Sequence, residues 1–108
     1  MVIVDTSVWI DFLEGKNKDK EQFKIFIELL NNEKVGLNSI IMAEILQGKK
    51  TEKQYQNTKN ILDTFKLFIV THNTIIKASK ISMACQRIGE TIKLTDCIIA
   101  ASCIEYNL

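Results

Sequence analysis

The chain has few of the residues that announce a stapled or metal-knuckle fold. Its 108 residues hold three cysteines, Cys85, Cys97 and Cys103. They cannot all pair within one chain, and none forms a C-x-x-C. That argues against a disulfide scaffold or zinc ribbon and for a reducing compartment, with a cytoplasmic location the expectation. Proline is absent and histidine occurs once, at His72, with no cysteine at metal-ligand spacing. No apolar run approaches the ~20 residues of a membrane helix, and Asp5 interrupts the apolar stretch that a signal peptide would need. No membrane partner is therefore expected. Glycine-rich phosphate loops of the G-x-x-x-x-G-K-[ST] or G-x-G-x-x-G type are missing, and Ser7 does not sit in a nucleophile elbow. Net charge is only +1, which excludes a nucleic-acid binder that works by bulk charge and leaves room for one that works locally.

What is present suits one soluble globular domain over residues 1–108. Hydrophobic residues make up 46% and charged residues 25%, enough to build a core that buries roughly two thirds of the chain's surface. Val2-Ile3-Val4 has no polar alternation and reads as a strand covered on both faces, the mark of a parallel sheet. Thr6 or Ser7 caps a following helix with Val8, Trp9, Phe12 and Leu13 on its apolar side, stopped by Gly15. Phe23, Phe26, Ile27 and Leu30 repeat at helical spacing and predict an amphipathic helix over about residues 19 to 31.

Val35-Gly36-Leu37 is a weak second strand. Ser39 caps a helix through Ile40 to Leu46, closed by Gly48. Thr51 to Lys66 reads as a helix with Tyr55, Leu62 and Phe65 inward. Leu67 to Thr71 is the clearest strand. Asn73 caps a helix with a core stripe of Ile81, Ala84, Cys85 and Ile88, and Thr95 caps a last one from Asp96 to about Tyr106. Strands alternating with helices predict an α/β fold with a parallel sheet.

Four acidic residues stand out by position. Asp5 ends the first strand, at the sheet edge where ligands bind in open parallel sheets. Glu44 lies inside the apolar run Ile40 to Leu46, a costly place for an unpartnered carboxylate. Asp96 opens an apolar helix, and Asp11 lies among Trp9, Ile10, Phe12 and Leu13. Each has a plain alternative: helix-dipole complementation for Asp96, the exposed point of an amphipathic helix for Glu44, and solvent for Asp11.

If Asp5, Glu44 and Asp96 converge, each pair about 4 Å apart repels by ~4 kcal/mol at an effective dielectric near 20. Either the carboxyls share protons or a hard divalent cation lies among them. Oxygen-only ligands favour Mg²⁺ or Mn²⁺ over zinc, and such a cation suits phosphodiester hydrolysis. The lysine-bearing segments Lys16 to Lys24 and Lys49 to Lys53 read most simply as solvated faces, with phosphate contact the alternative. A phosphate-transfer aspartate is disfavoured, since haloacid-dehalogenase-like enzymes need a second aspartate where Ser7 stands.

Three segments carry a family resemblance. Val2-Ile3-Val4-Asp5-Thr6-Ser7-Val8-Trp9-Ile10-Asp11 resembles the opening of PIN-domain nucleases, in particular the VapC toxins of type II toxin–antitoxin pairs. Ser39 to Gly48 resembles their second motif, and Thr95-Asp96-Cys97-Ile98-Ile99-Ala100-Ala101 their third. The resemblance implies a PIN-like three-layer fold with a central parallel sheet flanked by helices, and a Mg²⁺-dependent endoribonuclease. It places Asp5, Glu44 and Asp96 on the acidic metal positions and a supporting hydroxyl at Thr6 or Ser7. Asp11 falls on an often acidic position, and Thr95 accompanies Asp96.

The family's substrates are RNAs such as tRNA, its partner is a cognate antitoxin, and its members are commonly homodimers. The family also continues into a fourth strand, lying beside the first, and a further acidic residue. Neither has a counterpart before Leu108, so the final strands are expected to be missing and Val2 to Val4 to have an open edge. The rival readings are a PIN-fold protein that binds antitoxin or itself without catalysis, and an incomplete piece of a longer nuclease.

Overall fold

A computed structural model describes residues 1–108. Strand β1 (Val2–Ile3) leads into helices α1 (Thr6–Glu14) and α2 (Glu21–Asn31), then β2 (Val35–Asn38). Helices α3 (Ser39–Gln47) and α4 (Glu52–Leu62) precede β3 (Lys66–Phe68), and α5 (His72–Arg87) and α6 (Leu94–Tyr106) close the chain. The sheet is parallel in the order β1-β2-β3, with Val2 opposite Val35 and Asn38 opposite Phe68. The expected α/β architecture is present.

The strand read as weakest is the central one. All four residues of β2 are buried: it is paired on both edges and packed by α2 and α3, and its short unalternated pattern follows from that burial. A Cβ on Gly36 would come within 2.5 Å of the Phe68 ring, so glycine here admits the neighbouring strand's aromatic side chain. Val2 to Val4 does lie at an edge: β1 pairs only with β2, and Val2 is 40% exposed.

The main core gathers Trp9, Phe26, Val35, Leu37, Ile41, Ile45, Leu46 and Leu62. Trp9 is fully buried and meets Phe26 and Phe65 edge-on at centroid distances of 5.0 and 4.9 Å, the geometry that aromatic quadrupoles prefer. A smaller cluster of Ala78, Cys97 and Ala101 forms where α5 packs on α6. Ile99 of α6 reaches the main core. No helix is long and apolar enough to cross a membrane.

Several boundaries differ from the sequence reading, each for a local reason. Asp5, not Thr6 or Ser7, occupies the cap position of α1, without a side-chain cap bond; both hydroxyls turn to carboxylates instead. Asn38 caps α3 by accepting from the Ile40 amide, which frees Ser39 Oγ to accept from the Val70 amide. Helix α4 stops at Leu62 rather than Lys66, and the strand after it spans only Lys66–Phe68. Thr71, not Asn73, caps α5 through a reciprocal capping box with Thr74. Helix α6 begins at Leu94 with no side-chain cap, so Thr95 lies inside its first turn.

Half of the expected α5 stripe is present: Ile81 packs against the Ala78–Cys97–Ala101 cluster and Cys85 is half-buried. Thr74 and Ala78 are buried on α5, while Ile88 is 76% exposed and Ala84 is exposed. The close approach of α6 at Ala78 and Ala101 selects small residues over the larger apolar ones. Tyr55, expected inward, is exposed.

Candidate functional site

The first acidic position follows from the end of β1. The chain leaves the sheet at Val4, and Asp5 adopts extended backbone geometry (φ −60°, ψ 148°) before α1 begins. Its carbonyl accepts from the Val8 and Trp9 amides at 3.1 and 3.3 Å, which anchors the residue at the helix start. Its carboxylate, exposed to solvent, accepts from Ser7 Oγ at 2.6 Å. The positive end of the α1 dipole favours negative charge there.

The second position is built by α1 meeting α3. Glu44 is half-buried on the helix whose Ile41, Ile45 and Leu46 enter the core. Its Oε1 accepts from Thr6 Oγ1 at 2.9 Å. That bond resolves the apparent misfit of a glutamate in an apolar run: one side of α3 is core and Glu44 faces the start of α1. Consecutive hydroxyls, Thr6 and Ser7, thus hold the two carboxylates of different motifs.

Asp96 is exposed in the first turn of α6, a helix that packs against α3. Thr95 beside it is exposed. Asp11, half-buried, accepts from Asn17 Nδ2 at 3.0 Å and belongs to the end of α1, where the Gly15 turn (φ 67°) closes the helix. The structure therefore pairs Ser7 with Asp5 and Thr6 with Glu44 by separate hydrogen bonds from adjacent residues, and leaves Asp96, Thr95 and Asp11 outside these pairs. No three acidic, histidine or cysteine side chains close into a metal-holding group.

The donor set nevertheless has the chemistry a hard cation takes: carboxylate and hydroxyl oxygens, with no thiol or imidazole. None of the three carboxylates is neutralised by the protein. The only ion pairs are Lys16–Glu14 and Lys59–Asp63. Lys59, held by Asp63, has its pKa raised by that hydrogen bond and charge and lies on α4, apart from the Ser7–Asp5 and Thr6–Glu44 bonds.

One carboxylate escaped the sequence reading. Glu105, half-buried near the end of α6, accepts from Thr71 Oγ1 at 3.1 Å and from Thr74 Oγ1 at 2.5 Å. Next to it, Tyr106 Oη donates to the Ile69 carbonyl at 2.8 Å. The signal was the T-x-x-T pattern at the start of α5, but the acid it serves is 34 residues from Thr71. Glu105 lies nine residues from Asp96, roughly 13 Å along the helix, and ties α6 to the start of α5.

The PIN domain family model matches residues 2–108. Among solved structures, the chain superposes on a toxin–antitoxin complex from Klebsiella pneumoniae with a TM-score of 0.76 and 21% identity, over all of this chain and 82% of the other. It also superposes on VapBC2 from Rickettsia felis, solved bound to a promoter DNA fragment, with a TM-score of 0.72 and 21% identity, over 97% and 80% of the two chains. A search of curated proteins finds no match. At that identity the solved structures speak for the fold, and the family match, spanning nearly every residue and all three acidic motifs, shows that this chain belongs to the PIN domain family.

Proposed function

We propose that this protein is a VapC-type toxin, a single PIN-like domain acting as a Mg²⁺-dependent endoribonuclease. The observation that carries the reading is the pairing of Asp5 with Ser7 and of Glu44 with Thr6 at the carboxyl end of the sheet, with no protein cation on either acid. Asp5, Glu44 and Asp96 would hold Mg²⁺ or Mn²⁺, which when bound lowers the pKa of a water and steadies charge on the leaving oxygen.

The chain's own contribution is placement. Ser7 and Thr6 fix the rotamers of two carboxylates, and the exposed Asp5 presents its free oxygen to solvent and substrate. Thr95 stands beside Asp96 as a supporting hydroxyl, and Asp11 braces the far end of α1 through Asn17. The solved relatives are toxin–antitoxin complexes, which supports an antitoxin partner that covers the site. RNA such as tRNA is the substrate, the working form is a homodimer, and the compartment is the cytoplasm.

The test is RNA cleavage with Mg²⁺ and with chelator, for wild type, Asp5→Ala and Asp96→Ala. Cleavage by wild type that chelator and either substitution abolish is the expected result. Equal cleavage by all three proteins overturns the mechanism.

A second reading, a PIN-fold protein that binds antitoxin or itself without catalysis, is favoured by one observation: the acidic side chains do not close into a group of three. Failure to bind Mg²⁺ or Mn²⁺ at millimolar concentration, with antitoxin binding retained, selects it.

A further inference from the structure

Away from the carboxylates, a cleft of about 450 Å³ opens where the end of α1, the α3–α4 turn and the start of α4 meet. None of its lining residues is hydrophobic; they include Glu14, Lys49, Lys50, Gln54, Asn57 and Thr58. A cleft walled only by polar and charged residues, their aliphatic stems included, does not suit a small apolar ligand, which is recognised mainly by hydrophobic side chains.

Its charge is biased to positive. The one acid, Glu14, is engaged by Lys16 at 3.0 Å. Lys49 and Lys50 pair with no acid, although Lys49 is half-buried. Their backbones are fixed: the Lys49 amide donates to the Leu46 carbonyl at 3.1 Å, and the Lys50 amide to Gln54 Oε1 at 3.2 Å. That bond occupies the acceptor end of the Gln54 amide and leaves its Nε2 donors free. Asn57 is exposed and adds another amide. Two cations on the anchored turn and two amide donors on α4 match the oxygens of a phosphodiester.

The cleft and the Thr6–Glu44 contact share two helices, α1 and α3. Helix α3 runs from Glu44 to the Gly48 turn, four residues or roughly 6 Å of helix. Helix α1 runs from Thr6 to Glu14, eight residues or roughly 12 Å. Both helices leave the Thr6–Glu44 contact and arrive at the cleft. At about 3.4 Å per nucleotide of stacked strand, the separation is on the order of two to four nucleotides.

We infer that Lys49, Lys50, Gln54 and Asn57 form a subsite for an RNA backbone phosphate two to four nucleotides from the bond that is cut. The inference rests on the nuclease reading. It also accounts for how a chain of net charge +1 holds a polyanion: through a local cluster of cations rather than bulk charge.

The experiment measures binding of a fluorescein-labelled, mixed-sequence, single-stranded oligoribonucleotide by anisotropy, with chelator present so that nothing is cleaved. Wild type is compared with the double variant Lys49→Gln/Lys50→Gln and with a control, Lys20→Gln/Lys24→Gln, which removes the same charge from α2 and its cap. Loss of this phosphate contact weakens binding about tenfold and reduces the salt slope of log K by about 0.7. The control stays within about twofold of wild type. With Mg²⁺ present, KM for cleavage rises in the double variant while kcat holds, because the lost contact is uniform binding.

The inference is overturned if the double variant keeps wild-type affinity and slope, or if the control loses as much. A wild type that cleaves RNA while the double variant behaves normally refutes the subsite alone. A wild type that neither binds nor cleaves RNA refutes the nuclease reading, and the subsite with it.

Discussion

Thr6 Oγ1 donates to Glu44 Oε1 at 2.9 Å and so ties together two motifs 38 residues apart. A hydrogen bond to a charged acceptor contributes about 1.5–3 kcal/mol, and each 1.36 kcal/mol of lost positioning is about tenfold in rate. Thr6→Val removes the donor at nearly constant volume. RNA cleavage is expected to fall about 10- to 100-fold, with kcat affected more than KM. Thr6→Ser, which keeps the hydroxyl, restores most of the rate. Failure of serine to rescue would assign Thr6 a packing role instead.

That contact marks the limit of what the sequence could show. Asp5 and Glu44 were legible because each violates its surroundings, one as a charge at a strand end and the other as a charge in an apolar run. The pairing of Glu44 with Thr6 was not, because it depends on how α1 crosses α3, and no periodicity encodes a crossing. Capping misled for a similar reason. Thr6, Ser7 and Ser39 are all good cap residues, yet Thr6 and Ser39 are drawn to tertiary partners and Ser7 to the neighbouring Asp5 carboxylate. On α5 the pattern found Ile81 but passed over Thr74 and Ala78, because α6 packs there through Ala101 and Cys97, and that close packing favours small residues over the bulk a hydrophobic pattern picks out. Order and type of the elements came through, since these follow from local apolar spacing.

Glu105 is expected to carry stability rather than chemistry. Thr74 is fully buried and its hydroxyl donates to Glu105. Glu105→Ala leaves a buried hydroxyl with one partner fewer, which costs about 1–3 kcal/mol. Thermal unfolding should move down by about 4–8 °C per kcal/mol for a domain near this size. Glu105→Gln keeps an acceptor and should lose about half as much or less. An unchanged midpoint for the alanine variant would show that the α5–α6 contact holds without this tie.

Gly36 is required by Phe68 rather than by backbone freedom. The added Cβ of Gly36→Ala would meet the Phe68 ring at 2.5 and 3.1 Å. That ring is itself pinned, 5.1 Å from Tyr106 by centroid, and only 6% exposed. Overpacking of this kind costs about 1–3 kcal/mol, measurable as a lower denaturant midpoint with an unchanged slope. Pairing the change with Phe68→Leu should recover part of the loss, since the smaller side chain gives way where the ring does not. Strict additivity of the two losses would refute the contact.

Cys103, half-buried in α6, has its thiol pKa pushed above the ordinary 9.0 by burial, because desolvation disfavours the thiolate. The folded chain therefore holds this proton at a pH where the unfolded chain has released it. The corresponding stability is fully present below the unfolded thiol's pKa and is lost as pH rises through the folded one. Alkylation follows the thiolate, so iodoacetamide labelling of Cys103, followed by mass spectrometry across pH, should rise with a midpoint above 9.0. Urea denaturation should abolish the delay. A midpoint at or below 9.0 in the folded protein would mean that the thiol is solvated and that the α6 face around it opens more readily than the packed structure allows.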